Sequence, residues 1–136
     1  MAGSLTIKIL PGLFAVCRLP ADAPSPDWAR SNELLVFTRT TDELSIVCGE
    51  EHVPENVTAE LGWRGLKVVG PLDFSLVGIL ASLALPLAEA GISIFALSTY
   101  DTDYVLVKEA DLDKACQTLM EAGHNLLRPD AAKSAK

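Results

Sequence analysis

The residues best suited to chemistry in this sequence lie between Ser98 and Asp103, written Ser98-Thr99-Tyr100-Asp101-Thr102-Asp103. Hydroxyls and carboxylates alternate here over six positions, flanked by apolar runs on both sides. Asp103 can accept hydrogen bonds from a cationic group, Thr99 and Ser98 offer hydroxyls, and Tyr100 can cover an aliphatic stem. Asp101 and Asp103 form an Asp-x-Asp pair of the kind that holds Mg²⁺, but no further ligand or phosphate cradle accompanies them. The same residues also serve a plainer end, because Asp and Thr close turns with local side-chain hydrogen bonds. A second group precedes a helical pattern at Asp73–Gly78. Free N–H groups at a helix start favour a carboxylate, and glycine lets a ligand approach the main chain.

Other chemistries find little support. His52 sits in an acidic loop and His124 just past a helix end, and neither stands near a Ser or Cys nucleophile in motif context. Both read as surface or capping residues. Gly62, Gly65 and Gly70 fit neither a dinucleotide fingerprint nor a P-loop. Cys17, Cys48 and Cys116 stand singly in apolar runs without metal-ligand spacing, which describes buried free thiols. No catalytic residue, metal site or cofactor is expected, so the chain reads as a binding protein rather than an enzyme.

The elements that must carry these residues follow from periodicity. Ile92–Ser98 and Tyr104–Val107 are apolar runs rich in β-branched residues and read as a hairpin around the polar turn. Before it, Leu76, Ile79, Leu80, Leu83 and Leu87 recur at helical spacing, with Asp73 and Ser75 as cap types and Gly91 as the stop. Pro86 is an objection to that helix, because mid-helix it removes a hydrogen bond. After the hairpin, Leu112, Ala115, Cys116, Leu119 and Met120 repeat the spacing, with Asp111 as cap and Gly123 as terminator. Leu66–Val69 and Asn125–Leu127 complete a β-α-β-β-α-β order, the ferredoxin-like pattern of a four-stranded antiparallel sheet with two helices on one face.

The first half is less regular. Leu5–Leu10, Leu13–Leu19, Glu33–Arg39 and Leu44–Cys48 read as strands. Pro20–Pro26 is a loop, Asp27–Arg30 one helical turn, and Gly49–Glu60 a linker. A shift of sixty positions lays Phe37–Val47 over Leu97–Val107, each a strand, a hydroxyl-rich turn closed by an acid, and a strand. Two related modules are implied, the first degenerate at its proline-rich segment.

Composition bounds the partners. With 136 residues, nearly half of them apolar, the chain can bury a core. A net charge of −7, without a Lys/Arg cluster, argues against nucleic acid and against an anionic membrane surface. The N-terminus is a poor signal peptide and Leu76–Ala90 is too short to span a bilayer, so a cytoplasmic location is expected.

Two longer runs carry a family likeness. Phe74-Ser75-Leu76-Val77-Gly78-Ile79-Leu80 through Pro86-Leu87-Ala88-Glu89-Ala90-Gly91, continuing into Leu97–Val107, resembles an ACT domain. It is similar in particular to the ACT modules of aspartate kinases and of CASTOR-type arginine sensors. Leu35–Cys48 resembles the N-terminal module of the same family.

The resemblance implies an α+β protein of two tandem ferredoxin-like modules, at 1–60 and 61–128; the polar residues 129–136 beyond them read as a disordered tail. It further implies a non-catalytic regulator that binds a free amino acid, arginine or another, at an interface between modules. Homodimerisation would restore a four-module arrangement, and a further protein partner is compatible with that role. The matching ligand positions are Val77, Gly78 and Ile79 for the amino acid's backbone, and Ser98, Thr99, Tyr100 and Asp103 for its side chain. Asp103 matches the aspartate that pairs with the arginine guanidinium. Leu76 departs from the arginine sensors, which have an acidic residue there, whereas a proline at the position of Pro86 is usual in the family. A constitutive dimerisation module with no ligand is the alternative.

Overall fold

The structure, a computed structural model, describes residues 3–73 and 77–129. The chain divides into two compact units, Gly12–Trp63 on the one hand and Met1–Pro11 with Arg64–Lys136 on the other.

The second of these units carries the candidate ligand residues. Its strands are β1 (Thr6–Ile9), the end of β5 (Thr58–Val68), β6 (Ile94–Ser98), β7 (Asp103–Lys108) and β8 (Asn125–Leu127). Its helices are α1 (Ile79–Glu89) and α2 (Leu112–Glu121). The strand order is β6-β7-β5-β1-β8. This is the expected ferredoxin-like arrangement with one correction. β1 enters between β5 and β8, antiparallel to the first and parallel to the second, so the sheet has a fifth strand and is not wholly antiparallel. Alternate residues Ile7, Ile9, Leu66, Val68, Val105 and Val107 point to one face, where Ile79, Leu83 and Leu87 of α1 and Ala115, Cys116 and Leu119 of α2 close over them.

The unit Gly12–Trp63 is built from β2 (Phe14–Leu19), β3 (Val36–Arg39), β4 (Leu44–Gly49) and the start of β5, in the order β3-β4-β2-β5, all antiparallel. Among the described residues it holds a single-turn 3-10 helix at Glu50–His52 and no α-helix. The expected helical turn at Asp27–Arg30 is one hydrogen-bonded turn, Ala29 N–H to Pro26 C=O. Ala15, Cys17, Ala29, Leu44, Ile46 and Cys48 form its core. Cys17 and Cys48 lie diagonally across β2 and β4, and all three cysteines are free thiols. The Cys17 thiol is held well above the usual range by its hydrogen bond to Cys48 together with burial, and burial raises the Cys116 thiol.

β5 is the largest departure from expectation. A four-residue strand after a polar linker was expected, whereas the strand has 11 residues and begins at Thr58. Thr58-Ala59-Glu60-Leu61-Gly62 does not alternate cleanly because the pairing to β2 slips there. Phe14 faces Trp63 while Val16 faces Glu60, and Gly62 at φ 84° takes up the bulge. The Gly62 N–H is received by Glu50 Oε1 at 2.8 Å.

Helix α1 differs at its start. Its N-cap is Gly78, at φ 77°, and not Asp73 or Ser75; Ser75 and Leu76 lie outside the described residues, as does 130–136 of the tail. Its end is as expected, with Gly91 at φ 77° and the Ile92 N–H returning to Leu87 C=O.

Pro86 does stand inside α1. Lacking an N–H, it leaves the Ser82 carbonyl without its donor from the next turn. His124 fills that role, its Nε2 lying 3.2 Å from Ser82 C=O, while its Nδ1 accepts the Leu5 N–H at 3.1 Å. The ring is therefore the Nε2–H tautomer. It is buried, which corrects the surface half of the surface-or-capping reading, and it joins α1 to Leu5, the residue before β1. His124→Phe orphans both backbone groups, so a stability loss of about 1–3 kcal/mol is expected in denaturant unfolding. In a Pro86→Ala background the helix supplies Ser82 with its own donor. The loss should then shrink by about 0.5–2 kcal/mol. Equal losses in both backgrounds would show that the two residues are not coupled.

Candidate functional site

The β6–β7 hairpin is in register from Ile94 opposite Val107 to Ser98 opposite Asp103, which leaves Thr99–Thr102 as its turn. The turn closes on itself. Thr99 N–H donates to Thr102 C=O at 2.8 Å, and Thr99 Oγ1 receives the Thr102 N–H at 3.3 Å. Ser98 Oγ donates to Asp103 Oδ1 at 2.5 Å. The β3–β4 hairpin repeats this design. Thr40 N–H donates to Glu43 C=O at 2.9 Å, and Thr40 Oγ1 receives the Asp42 and Glu43 N–H groups. Thr40 thus corresponds to Thr99 and Asp42 to Asp101. The repeat holds at fifty-nine positions, one fewer than the shift read from the sequence.

A second segment, Gly70–Asp73, is fastened to this turn. Leu72 N–H donates to Asp101 C=O at 2.7 Å, and the buried Thr102 hydroxyl donates to Val68 C=O at 2.6 Å. Gly70 makes the approach possible. A Cβ there would lie 3.0 Å from Asp101 O, 3.0 Å from Leu72 N and 3.3 Å from Thr102 Cβ.

Between loop, turn and the start of α1 lies a cleft of about 350 Å³. One wall is Leu72, Asp73, Gly78, Ile79 and Leu80; the other is Ser98 through Asp103. Of the residues singled out from sequence, Gly78, Ile79, Ser98, Thr99, Tyr100 and Asp103 come together here. Val77 does not line the cleft and is 76% exposed, its side chain turned to solvent beside it. Ile79 presents its backbone, since its side chain is in the core. Asp73 and Asp101 join the site, and neither was assigned to the ligand from sequence. The signal for Asp101 was present in its alternation with Asp103; that for Asp73 was hidden by its aptness as a helix cap.

Two features define the electrostatics. Three carboxylates, Asp73, Asp101 and Asp103, line the cleft, and among the described residues no Lys, Arg or His does. The start of α1 also opens on it. The first bond of the helix is Ser82 N–H to Gly78 C=O at 2.9 Å, and Gly78 offers no side-chain cap. The N–H groups of Ile79 and Leu80 precede that bond and have no acceptor in the helix. A cleft with main-chain donors at one end and carboxylates at the other suits a molecule bearing both charges. Among the described residues no group of three or more His, Cys, Asp or Glu side chains is arranged to hold a metal, and no helix is long and apolar enough to cross a membrane.

Comparison with known proteins bears on the same segments. A family model described as ACT domain matches residues 58–121, and a separate N-terminal domain model matches 12–56. The chain is similar to the cytosolic arginine sensor for mTORC1 subunit 1 of Pongo abelii, 37% identical over 132 residues that make up 90% of this chain and 40% of that one. It spans between 20% and 59% of the length of the curated relatives it matches. Among solved structures, protein Atu0741 from Agobacterium tumefaciens superposes with a TM-score of 0.89 at 41% identity, covering 95% of this chain and 96% of that chain. The regulatory subunit of aspartate kinase from Thermus flavus has a TM-score of 0.61 at 11% identity, covering 90% and 99%, which is a likeness of fold.

Proposed function

The chain belongs to the ACT domain family, and from that premise we propose that it is a non-catalytic regulatory protein whose cleft binds a free amino acid, arginine or another. The observation that carries this reading is the pairing, in one cleft, of the start of α1, where Gly78 has no side chain to cap the first N–H groups, with three carboxylates and, among the described residues, no cationic side chain. The amino acid's α-carboxylate meets the Ile79 and Leu80 N–H groups beside Gly78, where the helix dipole also favours it. Its side chain runs along Thr99 and Tyr100 toward Asp103, and a cationic head there forms a charge-assisted hydrogen bond. The similarity to the Pongo abelii protein, named as a cytosolic arginine sensor, supports both the ligand class and a cytoplasmic location.

The two hairpins with their shared Thr-x-Asp turns support an origin of residues 1–60 and 61–128 from two ACT modules, the first reduced. In the working protein a second copy supplies the further module that borders the ligand. Binding at such a seam links ligand to assembly, because a ligand favours whichever arrangement binds it more tightly.

Differential scanning fluorimetry and calorimetry of the full chain with the twenty common amino acids test the reading. A ligand present at about 100 times its Kd adds about 2.7 kcal/mol to stability, a shift of several degrees in Tm. Expected is a saturable heat and a raised Tm with arginine or a small set of amino acids. No response to any of them favours the alternative, a constitutive dimerisation module with no ligand.

A further inference from the structure

Cys17 of β2 and Cys48 of β4 point to the same face of their sheet. Cys17 stands opposite Ile46 and Cys48 opposite Ala15, so the two thiols are diagonal neighbours across one strand pair. Both belong to one core cluster, at 1% and 0% exposure. The Cys17 thiol donates to the Cys48 sulfur, and the Arg30 N–H donates to the same sulfur. The bond from Cys17 outweighs burial and, with the bond from Arg30, holds the Cys48 thiol below its usual range. Of the two sulfurs, Cys48 is therefore the one that carries thiolate character.

The cover over this pair is slight. Residues 20–35 join β2 to β3 with neither helix nor strand, and so long a connection without structure of its own is usually functional. Only Ala29 and Leu34 of it are buried, and Ala23, Trp28 and Ala29 pack on the core that holds the thiols. So little apolar burial lets the segment open locally without unfolding the strands. Arg39 of β3 fastens it from outside, donating to the Ala21 and Ala23 carbonyls.

We propose that Cys17 and Cys48 are a reversible oxidation site, a dithiol that a hydroperoxide converts to an intramolecular disulfide when residues 20–35 open. The Cys48 sulfur attacks the peroxide, forming an S–O bond as the O–O bond breaks. The departing oxygen takes the thiol's proton and leaves as an alcohol, or as water from hydrogen peroxide. The Cys17 sulfur then attacks the Cys48 sulfenic acid, so that S–S forms, S–O breaks, and hydroxide leaves as water with the Cys17 proton. Two thiols lose two electrons and the hydroperoxide gains them. Diagonal positions lie about 7–8 Å apart at Cα, beyond the roughly 4.4–6.8 Å of a relaxed bridge, which makes this disulfide one that a dithiol readily reduces. The site depends on neither the cleft nor its ligand.

The test treats the folded full chain with hydrogen peroxide and quenches it into denaturant containing a maleimide. Mass spectrometry then counts free thiols with and without dithiothreitol. The parent and Cys116→Ser should lose two thiols together, yield a linked Cys17–Cys48 peptide, and regain both thiols on reduction. Cys116, the only thiol in its own core, should stay free in the parent. Cys17→Ser should stop at a Cys48 sulfenic acid, trapped when dimedone replaces the maleimide, whereas Cys48→Ser should leave Cys17 a thiol. Arg39→Ala should speed disulfide formation roughly tenfold, since the segment loses two hydrogen bonds. Circular dichroism checks folding, and alanine replaces serine in any variant that does not fold. A folded parent that keeps all three thiols, or that links between chains rather than within one, overturns the site. So does independent oxidation of Cys17 and Cys48, and an Arg39→Ala rate equal to the parent's overturns the opening step.

Discussion

Asp103→Ala is expected to abolish binding of a basic amino acid while leaving the protein folded. Asp103 closes the β6–β7 hairpin opposite Ser98 and lines the cleft. Removing one partner of a hydrogen-bonded charge pair at a binding site costs about 2–5 kcal/mol, which corresponds to a loss of roughly thirtyfold to several thousandfold in affinity. The effect on the free protein is far smaller. Asp103 accepts one exposed hydrogen bond, from Ser98 Oγ, worth about 0.5–1.5 kcal/mol. Calorimetry and urea unfolding on the same variant separate the two. Asp103→Asn keeps the hairpin bond and loses the charge, so it should bind as poorly as the alanine variant and unfold like the parent. Should Asp103→Ala unfold the protein, or bind the ligand as the parent does, Asp103 is a turn residue only.

Gly70→Ala should damage the cleft from behind. The methyl group would meet two backbone atoms at 3.0 Å, Asp101 O and Leu72 N, and neither can swing aside as a side-chain tip can. Relief requires the loop and the turn to separate, which lengthens the 2.7 Å bond from Leu72 N–H to Asp101 C=O that holds the two walls together. Overpacking of this kind costs about 1–3 kcal/mol, and the strained bond adds to it. Stability should fall by that amount, and ligand affinity should drop more than about tenfold because the walls no longer meet at the spacing the ligand needs. Gly70→Ala with unchanged affinity would show that the two loops do not jointly form the site.

How much of this was legible in the sequence depends on the range of the interactions concerned. The β6–β7 hairpin and α2 are specified locally, by alternation around a Thr/Asp turn and by Leu112, Ala115, Cys116 and Leu119 at helical spacing, and both formed where they were expected. The insertion of β1 beside β8 pairs Ile7 with Leu126, more than a hundred residues away, and no local pattern announces such a partner. β5 was hidden for a related reason. Its first half alternates poorly, and its strand character comes from β2 and from the bulge at Gly62.

The site shows the same division. Asp103 and Gly78 were recognisable by residue type and by family likeness. Asp73 became part of the site only because Gly78, and not a side chain, begins α1. Pro86 looked like a helix breaker because the donor that replaces its missing N–H, His124, lies 38 residues onward and outside the helix. Each of these depends on a backbone group finding a partner from another element, which composition and periodicity do not record.

The most direct measurement is a crystal structure of the protein grown with saturating arginine. Expected is density for an amino acid in the Gly78–Asp103 cleft, its carboxylate within hydrogen-bond distance of the Ile79 and Leu80 N–H groups and its guanidinium on Asp103. An amino acid bound elsewhere on the chain, or a cleft left empty while calorimetry records binding, would contradict it.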